Sequence, residues 1–275
     1  MSYLSKIAEK AQKMPPLPTV VARVLELTAD PDYSTAELIR AINMDQAVTA
    51  HVLRRVNSAF FGLRYRCTSL EQAVPQLGAD NVAEIALDAG VAKFFKGSAP
   101  IWRHSMATAL TARELGKAHG HADLATLHTS ALLHDVGMLI IAEFLRDVYE
   151  DVQYFVKTEG YSQTMAEREA LGIDHAELGA RIGQKWKLAP ETVEVIALHH
   201  EPAKARLARQ DTNIVCLANH IVNTIGYRCL DEEYLVDLPS TVLFEMRLTR
   251  RELDGLTAQA AQSLEKSDEI LELLP

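Results

Sequence analysis

The chain has 275 residues, 48% hydrophobic and 24% charged, which is enough for one large core or two modest ones and ordinary for a globular protein. A formal net charge of -9 excludes broad electrostatic attraction to nucleic acid or to an anionic membrane. No apolar run is read as reaching the ~20 residues that cross a bilayer, and the N-terminus MSYLSKIAEKAQKMPPLP lacks the apolar centre of a secretion signal.

Helical periodicity dominates from the first prolines onward. LPTVVARVLELTAD puts Val20, Val21, Val24, Leu25 and Leu27 on one face, and Pro15, Pro16 and Pro18 mark the start of that helix. Ser34-Thr-Ala-Glu37 has the form of a capping box opening STAELIRAI. DQAVTAHVLRRVNSAFF follows, with Val48, Val52, Leu53 and Val56 at helical spacing. Thr68-Ser-Leu-Glu71 is a second box, Gly78 suits a helix end, and ADNVAEIALDAGVAKFF begins another helix. KGSAP, 96–100, is the clearest boundary, because Gly, Ser and Pro cluster there.

Beyond it, IWRHSMATALTARELGKA predicts one long amphipathic helix. HADLATLHTSALLHDVGMLIIAEFL predicts the next, unbroken, with Gly137 inside it. Shorter helices are expected over 148–158 and 162–171. Asp174-His-Ala-Glu177 is a third box, before HAELGARIGQKW, and Pro190 suits the first turn of PETVEVIALHH. DTNIVCLANHIVNTIG is apolar enough to be buried, and the tail RRELDGLTAQAAQSLEKSDEILELL is amphipathic with an acidic end. There is no strand pair, hairpin signal or repeat, so the chain reads as all-α. Its expected parts are an N-terminal helical lobe over 1–98, a helical core over 99–228 and a C-terminal helical extension over 229–275.

The chemistry concentrates in the second part. His134 and Asp135 stand side by side in the apolar run ALLHDVGMLI, where a carboxylate is costly unless it is paired, hydrogen-bonded or bound to a metal. His104 lies one helix earlier, His175 one residue inside a capped helix start, and His199 and His200 at the end of another helix. His and Asp are ligand types for Zn, Fe and Mn, and helical bundles assemble such sites from single residues on several helices. The competing reading is a neutralised, hydrogen-bonded polar core. His51, His119 and His121 look exposed or peripheral, His128 looks like packing, and Trp102 and Trp186 look like core. Arg103, Lys185 and Lys187 look like surface charges. Cys67, Cys216 and Cys229 have no CxxC spacing and no framework count, and read as isolated thiols in a reducing cytoplasm.

In order and context, WRHS, LLHDVG, DHAELGARIGQKW and ALHHEP resemble the HD superfamily of metal-dependent phosphohydrolases, including its HD-GYP branch. The stretch MPPLPTVVARVLELTADPDYSTAELIRAINMDQAVTAHVLRRVNSAFFGL, with SLEQAVPQLGADNVAEIAL, is similar to the HDOD domain, an HD-related output domain of bacterial signalling. The likeness runs from about residue 14 to about residue 225 and leaves the last fifty or so residues uncovered. It implies an all-α HDOD fold, with the N-terminal lobe packed on an HD-like helical core. It also implies a metal set of His104, His134, Asp135, His175, His199 and His200, holding one or two divalent ions of Fe, Mn or Zn.

Three departures shape the functional expectation. Asn219 stands where HD enzymes carry a late-helix aspartate, Met138 stands where active HD-GYP enzymes often carry a lysine, and HHEPAKARLARQD contains no GYP motif. Cyclic di-GMP hydrolysis is therefore disfavoured. The resemblance implies a cytoplasmic bacterial signal-transduction output protein. Such a protein would be regulatory through contacts with other signalling proteins and would have a degenerate metal site able to hold a phosphorylated small ligand. No receiver or sensor domain is seen, so input is expected from another protein or a ligand. The alternative is a metal-dependent phosphohydrolase acting on a nucleotide or phosphoester, with Asp135 the candidate catalytic residue. No nucleic-acid or membrane partner is expected. Arg54 and Arg55 alone make a weak case for DNA.

Overall fold

The computed structural model describes residues 16–30, 32–93, 98–229 and 238–267, the side chains of Phe144 and Asp147 excepted. The described residues are helical and contain no strand, as the periodicity predicts. They divide into two compact units, one of 16–93 with 263–267 and the other of 98–229 with 238–262. Residues 96 and 97 of the expected boundary, the N-terminal stretch through Pro15 and the acidic end of the tail lie outside the described residues.

The first unit is built on α1 (Thr19–Thr28), α2 (Thr35–Asn43), α3 (Gln46–Val56), α4 (Leu70–Leu77) and α5 (Ala79–Ala92). Helix α5 is its centre: α1, α2, α3 and α4 all pack on it, and it is buried from Val82 to Ala92. That is why ADNVAEIALDAGVA is apolar nearly all round. Two of its buried residues are charged, Glu84 and Asp88, and Asp88 is ion-paired with the equally buried Arg55 of α3. Arg55 is thus committed to the interior and offers nothing to a nucleic-acid surface. His51, one turn before it, is 3% exposed, which corrects the expectation that it is peripheral.

Helix starts differ from the predicted boxes in two places. Ser34 is the N-cap of α2 but makes no side-chain cap bond. At α4 the N-cap is Ser69 rather than Thr68, and the Thr68 N–H donates to Gln72 Oε1 at 2.8 Å. The Asp45 carboxylate caps α3 instead, accepting from Ala47 and Val48.

The second unit comprises α6 (Ala99–Ala118), α7 (Leu124–Leu133), α8 (Val136–Phe144), α9 (Arg146–Glu159), α10 (Gln163–Leu171), α11 (His175–Lys185), α12 (Pro190–Leu198), α13 (Arg209–Thr224), α14 (Ser240–Glu245) and most of α15 (Arg250–Glu265). Helix α6 packs on α7 and α13, α11 packs on α8 and α12, and α12 packs on α7. The long helix expected across 121–145 is broken. It stops at Leu133 and restarts at Val136, with His134 and Asp135 in the turn between. Leu124–Glu143 is, by length and composition, apolar enough to cross a bilayer, against the expectation that no such run exists. It is mostly buried, and it forms the middle of this unit. Helices α9 and α10 add a satellite core in which Ile140, Ile141, Val152, Val156, Leu171 and Ile182 meet.

Just past the break the packing is close. A Cβ on Gly137 would lie 1.9 Å from the carbonyl oxygen of His175, and one on Gly179 would lie 3.3 Å from Gly137 N. Helices α8 and α11 therefore touch backbone to backbone at two glycines. That contact brings the start of α11, with His175, against the turn that carries Asp135.

Candidate metal centre

Three histidines are oriented by backbone carbonyls. His134 Nδ1 is 2.7 Å from Ala131 O, His199 Nδ1 is 2.8 Å from Ile196 O, and His104 Nδ1 is 2.7 Å from Tyr227 O. A carbonyl only accepts, so each Nδ1 carries a proton and each Nε2 turns inward. His175 is oriented by a carboxylate: its Nδ1 and its backbone N–H both donate to Glu167 Oε2 at 2.7 Å. Asp174 caps α11, accepting from Glu177 N at 2.8 Å, as the third box predicts.

These four rings converge on Asp135. Its Oδ2 is 3.3 Å from His104 Nε2 and 3.2 Å from His134 Nε2. Its Oδ1 is 3.4 Å from both His175 Nε2 and His199 Nε2. His200 Nε2 lies 2.8 Å from His175 Nε2. The structure thus brings His104, His134, Asp135, His175, His199 and His200 into one cluster. Nitrogen and oxygen donors about 2.0–2.2 Å from a tetrahedral ion lie roughly 3.3–3.6 Å from one another, close to the separations around Asp135.

Burial and neighbouring charges pull the members of the cluster in opposite directions. Burial pushes the His134 imidazole down to about 4, outweighing the pull of Asp135, so the ring is neutral. Burial, then the neighbouring rings of His199 and His175, hold His200 well below its usual value. Burial works to raise the Asp135 carboxyl, but its interactions with His134, His104 and His175 outweigh burial and keep it ionised. Only His175 goes the other way: burial opposes its charge, and Glu167 and Asp135 outweigh burial and hold it well above its usual value. Asp135 Oδ1 and His199 Nε2 are buried without a hydrogen bond. Buried polar atoms left unpaired in this way are costly unless a ligand satisfies them. The donor set fits a divalent ion. Ligand atoms of Asp135, His175, His199 and His200 all lie within 4.8 Å of one another, as do those of His104, Asp135 and Cys229. Asp135 is common to both groups.

Two members escaped the sequence reading. Glu167 is fully buried; its only signal is that it shares a helix face with Leu171, four residues on. Cys229 is no isolated thiol: its Sγ is 3.2 Å from Asp135 Oδ2. None of Cys67, Cys216 and Cys229 is in a disulfide. Asn219 is buried on α13, and its Oδ1 accepts from Asn223 Nδ2 at 2.6 Å. Met138 is buried at 3% exposure. His128 and Trp102 are buried, whereas Arg103, Lys185 and Lys187 are exposed.

The HDOD domain model matches residues 14–202. One curated protein, an uncharacterized protein of Treponema pallidum (strain Nichols), is 24% identical over 266 residues, or 94% of this chain and 51% of that protein. The chain thus spans about half the length of the curated relative it matches. Among solved structures, an HDOD domain protein of unknown function from Geobacter sulfurreducens aligns over 98% of this chain and 96% of its own, with TM-score 0.79 and 22% identity. A protein of Shewanella amazonensis SB2B, provisionally named a phosphohydrolase, aligns over 98% of each chain with TM-score 0.78 and 23% identity. One from Marinobacter aquaeolei VT8, provisionally named a signal transduction protein, aligns over 95% of this chain and 60% of its own with TM-score 0.80 and 19% identity. At these identities the likeness establishes the fold.

Proposed function

The chain belongs to the HDOD family, and we propose that it is a regulatory output protein of bacterial signal transduction. Its His/Asp cluster holds a divalent ion, Fe, Mn or Zn, as part of the fold, and it acts in the cytoplasm through contacts with other signalling proteins. The observation that carries this reading is how closed the donor set is. His134 and His199 are 0% exposed, His104 1% and Asp135 5%. A phosphoester must reach the ion to be hydrolysed, and here the position that often holds a phosphate-binding lysine is the buried, uncharged Met138. Asn219 supplies a neutral amide where a carboxylate would add charge.

A second reading, a phosphohydrolase acting on a nucleotide or phosphoester, draws support from His200, the one half-buried member of the histidine set. When bound, a divalent ion supplies Lewis-acid charge and acidifies water. On this reading Asp135 positions the ion and His200 is the ring of the set most open to solvent.

The test is elemental analysis of protein purified without chelator or histidine tag, beside His134→Ala/Asp135→Ala. About one or two equivalents of metal, lost in the double variant, are expected. The metal-loaded protein is then offered generic phosphoesters and cyclic dinucleotides. Turnover abolished by the double variant would replace the regulatory reading with the second one.

A further inference from the structure

We propose that Cys229 is a thiolate ligand on the Oδ2 side of Asp135, and that it biases the centre toward Zn(II), Co(II) or Fe(II) over Mn(II). This rests on the reading above that the cluster holds a divalent ion. Cys229 Sγ lies 3.2 Å from Asp135 Oδ2, the same oxygen that His104 Nε2 approaches at 3.3 Å. The ligand atoms of all three residues fall within 4.8 Å of one another. His134 Nε2 stands 3.2 Å from that oxygen and 3.3 Å from His104 Nε2.

The thiol is not a solitary cysteine beside an unrelated polar group. It closes a set of one carboxylate and two imidazole nitrogens held at contact distance, and its S–H proton is the one a metal ion displaces. On metal binding the S–H proton leaves to solvent and a sulfur–metal bond replaces the S–H···O contact. Nitrogen and carboxylate oxygen alone suit Mn as well as Zn. A thiolate in the set shifts preference to the softer ions. Cys229 is half-buried, so reagents can reach it.

The experiment compares the full chain with Cys229→Ser and Cys229→Ala. Loading with Co(II) should produce a near-ultraviolet thiolate-to-cobalt charge-transfer band that both variants lack. Zn(II) affinity, by chelator competition, should fall at least about tenfold in Cys229→Ala while Mn(II) affinity moves less than about twofold. In the unaltered chain Zn(II) should slow alkylation of Cys229 by iodoacetamide at least about tenfold, read by mass spectrometry. This last measurement needs no variant to fold. Metal uptake with no sulfur band and no protection overturns this proposal and leaves the metal-holding reading standing. No uptake of Zn(II), Co(II) or Mn(II) overturns both.

Discussion

Glu167 is a single side chain that decides how His175 meets Asp135. It accepts from His175 Nδ1, from the His175 backbone N–H and, through Oε1, from Gln163 Nε2 at 2.7 Å. Its hold on Nδ1 fixes the ring and directs Nε2 toward Asp135. Carboxylates in this position behind a ligating histidine raise its basicity and lock its tautomer. Glu167→Gln keeps the shape and removes the charge. It should weaken metal binding about 10–100-fold, measured by chelator competition, with little change in the far-ultraviolet circular dichroism. Unchanged affinity would mean that His175 is not a ligand. Buried position alone does not determine such roles. Glu84 and Asp88 are also buried acids, and Asp88 is held by an arginine rather than a histidine.

At the scale of elements, the contact of α8 with α11 builds the site. Gly137→Ala places a methyl 1.9 Å from the His175 carbonyl oxygen, a clash with backbone that no rotamer relieves. It should cost about 3 kcal/mol or more in urea unfolding and reduce bound metal, because His175 is pushed from Asp135. Gly255 tests the converse. It is exposed within α15, meets nothing within 4 Å and has no left-handed φ. Gly255→Ala should therefore raise stability by roughly 0.5–1 kcal/mol through helix propensity. A destabilising result there would show that α15 packs against something through that face.

For the whole molecule, the buried histidines set a pH dependence. Burial, then the charges of Arg55 and Arg54, push His51 down to about 4 against the opposing pull of Asp88. The unfolded chain takes up that proton near 6.5 while the folded chain refuses it, so the unfolded state binds more protons between these values. The stability His51 contributes is complete above pH 6.5 and is lost as pH falls toward 4, by about 2–3 kcal/mol in all. Metal-free His51→Leu should show a flatter decline over that window than the unaltered chain in urea unfolding at stepped pH. Parallel curves would mean that His51 is protonated in the fold.

The helices, the all-α class and the six clustered donors were legible in the sequence because each rests on local pattern. Periodicity marks a buried face, Asp174 marks a cap, and the His-Asp doublet with its spaced histidines marks a family order. What escaped depends on residues far apart along the chain. Cys229 reaches Asp135 from 94 positions away, and no spacing rule links them. The burial of His51 follows from α5 closing over α3. The break at His134 and Asp135 lies just before the α8–α11 approach at Gly137, whereas local propensity favours one continuous helix. By itself the sequence determined the all-α class and which residues are candidates for the site, since both rest on properties of short stretches. Only the tertiary structure decided which rings face Asp135, which carboxylate orients His175 and which thiol joins them, since these depend on where distant helices cross.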